Sequence, residues 1–201
     1  GDVYKRQLLK DMDKAVKRIN RALDDGESIC IYGDYDCDGV TSTALLYTFL
    51  SALGGFVSYY IPNRATDGYG MNFKAIDKIK ADGTDLIITV DNGISSIEEA
   101  EYIYSLGMQL IVTDHHQIGE NLPRAEAVIN PHREDNEIEF RDFAGVGVAF
   151  KLACALYDGD VEDLLEDYAD YVTIGTIGDM VPLLNENRAI VKSGLKLINT
   201  D

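Results

Sequence analysis

Residues 28–55, SICIYGDYDCDGVTSTALLYTFLSALGG, decide how the rest of the chain is read. Ser28 to Tyr32 is a short apolar run closed by Gly33. From Thr41 to Leu53 apolar residues recur with helical spacing until Gly54 and Gly55 stop them. Between strand and helix stand Asp34, Asp36 and Asp38, three carboxylates at alternate positions. Carboxylates crowded at a strand end repel one another and are costly to desolvate unless cations neutralise them.

Working outward, apolar runs break into acid three more times, in LIITVDNG ending near Asp91, LIVTDHH near Asp114 and YVTIGTIGD at Asp179. Strands are predicted at Val57–Ile61, Leu86–Val90, Gln109–Thr113 and Ala127–Asn130. Helices are predicted at Leu8–Leu23, Asn72–Ala81, Ser96–Leu106, Val148–Tyr157, Asp163–Val172 and Glu186–Ile198, with a polar loop from Pro131 to Arg141. Such alternation argues for an α/β fold, a three-layer sandwich with a mainly parallel sheet flanked by helices. Ligands of these sheets gather beyond the carboxyl ends of the strands, where three of the four acidic motifs fall; the fourth follows a more helix-like run.

The chain has 201 residues, 46% of them hydrophobic, enough for one domain with a core and a cleft. Three cysteines, Cys30, Cys37 and Cys154, without C-x-x-C spacing exclude a disulfide framework or a Cys-rich zinc site and fit a reducing cytoplasm. No uninterrupted apolar stretch of about 18 residues is present, so no membrane partner is expected. Residues 1–7, GDVYKRQ, do not join the periodicity that follows and are expected to be a cloning or sequencing scar. Residues 8–201 are expected to form one domain cut before a second one.

Thirty-five acidic against 18 basic residues give a net charge of −17, which repels polyanions and argues against simple electrostatic binding of nucleic acid. The basic residues Lys5, Arg6, Lys10, Lys14, Lys17, Arg18 and Arg21 cluster near the start, where they read as the solvated face of the first helix.

The spacing of Asp34, Asp36 and Asp38 suits hard, oxygen-binding cations. An EF-hand would need a Glu at the twelfth loop position, where Leu45 stands, and a helix before the loop. Asp91 by itself is equally an ordinary Asp-Asn-Gly turn, and Asp179 by itself equally a helix terminus. Asp114, His115 and His116 are harder to explain by packing: one imidazole can ligate while its neighbour meets substrate. A mixed Asp and His set without thiolates suits Mn2+ or Mg2+ better than structural zinc. Arg64 and Tyr69, in NRATDGYG, are candidate phosphate and base contacts or parts of a structural turn. His132 in NPHR is a candidate substrate contact. Gly145 and Gly147 either present backbone N–H groups to a phosphate or permit close helix packing. Cys37 reads as a spacer.

GDYDCDG, VDNG, DHH and GTIGD, in this order and at these spacings, resemble the four motifs of the DHH phosphoesterase superfamily. IPNRATDGYG, AVINPHR, FAGVGVAFKL and DMVPLLNENR are similar to the linking segments of its single-strand-specific exonucleases. The resemblance runs from about residue 8 to the end. It implies two Mn2+ or Mg2+ ions, with Asp36 and Asp38 as ligands beside Asp34, Asp91 and Asp179 shared or bridging, and His115 on one ion. It further implies that His116 faces the scissile phosphate and that Asp114 orients the pair. Many relatives carry a His where this chain has Tyr32, which leaves the second ion's ligand set open.

The activity implied is hydrolysis of single-stranded DNA from the 5′ end in repair and recombination. The alternative within the superfamily is a hydrolase of nanoRNA, adenosine bisphosphate, cyclic dinucleotides or pyrophosphate. A non-catalytic relative would have lost ligands, and all four motifs are intact. The resemblance also implies a further, smaller domain across the cleft and a nucleic-acid-binding barrel, so these residues alone are expected to bind metal but to hold single-stranded DNA weakly.

Overall fold

Alternate residues of the central strands enter two different cores. Ile29 and Ile31, Leu86 and Ile88, and Ile111 face one way, while Cys30 and Tyr32, Ile87, and Leu110 and Val112 face the other. A sheet apolar on both faces must be covered on both. In the computed structural model, which describes residues 9–200, helices lie on each side of it.

The strands are β1 (Ser28–Tyr32), β2 (Phe56–Tyr60), β3 (Leu86–Thr89), β4 (Gln109–Thr113) and β5 (Ala127–Ile129), all parallel, in the order β2-β1-β3-β4-β5. Helices α1 (Met12–Asp25), α2 (Cys37–Ala52) and α5 (Gly145–Leu156) pack on one face, with α6 (Val161–Gly178) against α2 and α5. Helices α3 (Phe73–Ala81) and α4 (Ile97–Ser105) cover the other. Helix α7 (Asn185–Ile198) lies against α6. The chain leaves β1 toward β2 and returns on the opposite side as β3, so the ends of β1 and β3 border the crevice at which the strand order reverses.

The expected three-layer α/β sandwich is the fold found, with most element ends within a residue or two of expectation. Three differences bear on function. Helix α2 begins at Cys37 rather than Thr41, because the Asp36 side chain accepts the Gly39 N–H at 2.7 Å and caps it there. Helix α5 begins at Gly145 rather than Val148. Helix α6 runs unbroken from Val161 to Gly178, so Asp179 is its C-terminal cap residue and not the end of a short run.

Arg18 does not belong to a solvated basic face. It is only 6% exposed, donates to Gln109 at the start of β4 at 2.7 Å, and pairs with Glu27 at 2.6 Å. Lys5, Arg6, Leu8 and the expected scar at residues 1–7 lie outside the described residues. Among the described residues no helix is long and apolar enough to cross a membrane.

Candidate metal centre

Four chain segments deliver their acids to one edge of the sheet. Asp34 follows β1, Asp91 follows β3 and Asp114 follows β4, while α6 brings Asp179 in from above. Glycines let the helices close. A Cβ on Gly175 would lie 2.4 Å from Thr41 Oγ1 and 2.7 Å from Val146, and one on Gly178 would lie 2.9 Å from Cys37 Sγ. Cys37 thus touches the last turn of α6, which holds Asp179.

The turn after β3 places Asp91 in the left-handed region, at φ 60. Asn92, fully buried beside it, directs its amide at the carbonyls of Tyr32, Gly33 and Val90, all at 3.0–3.1 Å. The side chain that looked like turn chemistry therefore ties the ends of β1 and β3 together, and leaves Asp91 facing the crevice.

The buried carboxylates differ in what surrounds them. Asp38, in the first turn of α2, accepts the Gly145 N–H at Oδ2 (2.6 Å) and the Val146 N–H at Oδ1 (2.8 Å). Asp114 accepts the Ile94 N–H at Oδ2 and, at Oδ1, the N–H groups of His115 and His116 and the His116 ring at 2.6 Å. No hydrogen bond reaches either oxygen of Asp91.

The acidities follow. Burial pushes Asp38 up to about 7 against the pull of its two N–H donors, and burial with the neighbouring Asp38 raises Asp91 further still. Burial also raises Asp34 and Asp179. Burial would raise Asp114 as well, but its bond to His116 and its N–H donors hold it below the usual carboxylate range. That same bond raises His116, whereas burial and the adjacent His116 lower His115, favouring a neutral imidazole.

His115 Nε2 is the hub of the cluster, 3.0 Å from Asp91 Oδ1, 3.5 Å from Asp38 Oδ2 and 3.8 Å from Asp179 Oδ2. Donor atoms of Asp38, His115 and Asp179 lie within 4.8 Å of one another. So do those of Asp34, Asp36 and Asp91, and those of Asp91, His115 and His116. Asp34 Oδ1, both Asp91 oxygens and His115 Nε2 are buried without a hydrogen-bond partner. Buried polar atoms left unpaired and aimed at one another fit divalent cations, as does a set made of carboxylates and one neutral imidazole.

The other sequence candidates divide. The Tyr69 hydroxyl sits 3.0 Å from His116 Nδ1 and 3.3 Å from the Asp91 carbonyl, on the rim of the cluster. Arg64 is exposed and stands 5.7 Å over the ring of Tyr35, inside the first motif. His132 donates its N–H to Asn130, whose amide in turn donates to the His116 carbonyl.

Gly145 and Gly147 do not offer N–H groups to a phosphate, contrary to one of their two sequence readings. The first N–H is taken by Asp38 and the second by the carbonyl of Ala144, the N-cap of α5. Tyr32 stands apart from the donors. Strand alternation turns its ring into the core under α3, and its hydroxyl donates to the Gly70 carbonyl. No local pattern in the sequence singles out Asn92 and Asn130, since the carbonyls they reach at Tyr32, Gly33 and His116 are brought near only by the pairing of β1 with β3 and of β4 with β5.

Residues 28–176 match the family described as "DHH family, N-terminal domain". The single-stranded-DNA-specific exonuclease RecJ of Bacillus subtilis is 47% identical over 196 residues, which are 98% of this chain and 24% of that protein. The crystal structure of exonuclease RecJ bound to manganese superposes with a TM-score of 0.85 at 38% identity, covering 96% of this chain and 49% of that one. RecJ of Thermus thermophilus in complex with Mn2+ gives 0.82 at 35% identity, covering 98% and 28%. The chain spans less than half the length of each of these relatives.

Proposed function

The chain belongs to the DHH family, and from that premise we propose that it carries the catalytic centre of a metal-dependent, single-strand-specific DNA exonuclease of the RecJ type. The observation that carries the reading is Asp91. Its carboxylate is buried, unpaired and common to two groups of donors, one with Asp34 and Asp36, the other with His115. Asp34, Asp36 and Asp91 would hold one divalent cation, Mn2+ or Mg2+, and Asp38, Asp91, His115 and Asp179 would hold a second. Cations bound there would supply a water of lowered pKa and neutralise charge on a phosphoryl group.

The chain's own groups do the rest. Asp91 and His115 fix the spacing between the two donor sets. Asp114 fixes the ring of His116 through Nδ1, leaving Nε2 to face the scissile phosphate, steady its developing charge and deliver a proton to the leaving oxygen. Arg64 and Tyr69, on the loop that borders the crevice, meet the phosphate and base of the strand end, and His132 meets the strand further along.

With 35 acidic and 18 basic residues, these 201 residues hold single-stranded DNA weakly. The grip comes from segments that the longer relatives carry outside the matched region. Cleavage proceeds from the 5′ end, in the cytoplasm, in DNA repair and recombination. The test is cleavage of a 5′-labelled single-stranded oligonucleotide with Mn2+, run beside pyrophosphate, nanoRNA, adenosine bisphosphate and a cyclic dinucleotide. Release of mononucleotides from the oligonucleotide is the expected result; turnover confined to the small substrates overturns the reading.

A further inference from the structure

Two of the four acidic motifs meet at Gly145. On one side its N–H and that of Val146 grip both oxygens of Asp38, a carboxylate carried by a different helix. On the other side a Cβ at this position would lie 2.7 Å from Cβ and Oδ1 of Asp91 and 2.9 Å from its Cγ. Real Cβ atoms do not approach so closely, and Asp91 has little room to yield. Its backbone is held left-handed, and the next residue is tied to three carbonyls.

Helix α5 cannot readily withdraw either, because Val146, Val148, Ala149, Phe150 and Leu152 anchor it in the core. The absence of a side chain at 145 is thus what lets α5 slide beneath Asp91 far enough to hold Asp38. The two carboxylates then stand 3.0 and 3.5 Å from the same imidazole nitrogen.

We infer that Gly145 is the positioning residue of the metal centre: the first turn of α5 sets the distance between the Asp38 and Asp91 carboxylates, and cation binding depends on that distance. The inference rests on the two-cation reading above. Gly147 supplies an internal contrast, since a Cβ there would meet Phe143 at 3.5 Å, an ordinary contact, and touch no carboxylate.

The test compares Gly145→Ala, Gly147→Ala and Val146→Pro with the wild-type chain. Val146→Pro removes the N–H given to Asp38 Oδ1, in a first helical turn where proline is tolerated, and puts a smaller apolar side chain at this buried position, so its metal-free melting is the control for lost packing. Each protein is titrated with Mn2+ by calorimetry and by the EPR signal of free Mn2+, with far-UV circular dichroism and metal-free melting recorded alongside. Wild type and Gly147→Ala should bind two ions equally well. Gly145→Ala should keep its circular dichroism but bind Mn2+ about 10–100-fold more weakly, the scale seen when a group orienting a ligand is lost; Val146→Pro should fall near the lower end.

Two ions bound at wild-type affinity by both Gly145→Ala and Val146→Pro would overturn the inference while leaving the metal centre intact. No Mn2+ uptake by wild type would overturn the two-cation reading itself. Should Gly145→Ala fail to fold, Val146→Pro decides alone.

Discussion

Asp114 and Asp91 are each 1% exposed and sit at the ends of adjacent strands, yet they live under opposite conditions. The protein surrounds Asp114 with three N–H groups and an imidazole, and its acidity increases. It leaves Asp91 with no hydrogen bond at either oxygen, and its acidity falls. Residue type, burial and strand position are matched, so the difference lies in the neighbours: N–H donors and an imidazole around Asp114, the carboxylates of Asp38 and Asp36 beside Asp91. A buried carboxylate completed by the protein can orient a neighbour with or without metal. One left incomplete destabilises the fold until a cation arrives, which is the cost a binding site carries in its empty state.

The largest expected effect comes from removing the incomplete partner. Asp91→Asn keeps a residue that tolerates the left-handed backbone, so the turn survives. Mn2+-dependent cleavage should fall by roughly 10³-fold or more, about 4 kcal/mol of transition-state stabilisation. Without metal the variant should melt at or above the wild-type temperature, since an uncompensated buried acid has been removed. A clear drop in metal-free stability would break the contrast.

Asp114→Asn should do the reverse. It turns an amide N–H toward groups that themselves donate, at a cost of about 1–3 kcal/mol of metal-free stability. Mn2+ uptake should change less than in Asp91→Asn. Thermal melts and Mn2+ titrations of the two variants, side by side, read both effects.

The same pair divides the pH dependence of the metal-free chain. Asp38 and Asp91 have raised values when folded, so they favour the folded state below the unfolded carboxylate range of about 4. That contribution is lost as pH rises through the folded values, about 7 for Asp38. Asp114 has a lowered value, so its contribution is present above the unfolded value and lost as pH falls toward the depressed one. Melting temperature should therefore decline between about pH 4 and 7. Saturating Mn2+ should reverse the decline, one site adding about 2.7 kcal/mol at a hundredfold excess over Kd. Asp91→Asn should flatten the decline and Asp114→Asn the acid limb; unchanged profiles would assign the titration to other groups.

What could be read from the sequence follows the range of the interactions involved. Asp34, Asp91 and Asp114 end apolar runs that reach both faces of the sheet, and that pattern is local. Asp179 is harder, because VTIGTIG is rich in β-branched residues and glycine, which disfavour a helix, and packing against α2, α5 and α7 makes it the end of α6. Helix α5 starts three residues before its predicted place for a related reason. Two glycines weaken the helical signal, and the bonds that offset them run to Asp38, 107 positions away. Arg18 fits the polar face of an isolated helix, and nothing nearby in sequence says that Gln109 lies beneath it. Asn92 passes for turn chemistry because its role requires β1 and β3 to be neighbours.

The smallest effect tests whether Asp114 alone orients His116. The Tyr69 hydroxyl lies 3.0 Å from His116 Nδ1, against 2.6 Å for Asp114 Oδ1, and the two rings meet edge to face at 5.5 Å. Tyr69→Phe keeps the ring contact and removes the hydroxyl. Because one short charge-assisted bond already fixes the imidazole, the loss should be about 0.5–1.5 kcal/mol, a two- to tenfold fall in kcat/KM. Tyr69→Ala, which also removes the ring, should raise KM more than it lowers kcat. If Tyr69→Phe instead matches Asp114→Asn in kcat, the imidazole is held as firmly from the substrate side as from the sheet. The completed carboxylate would then share its orienting role with a residue on the rim loop.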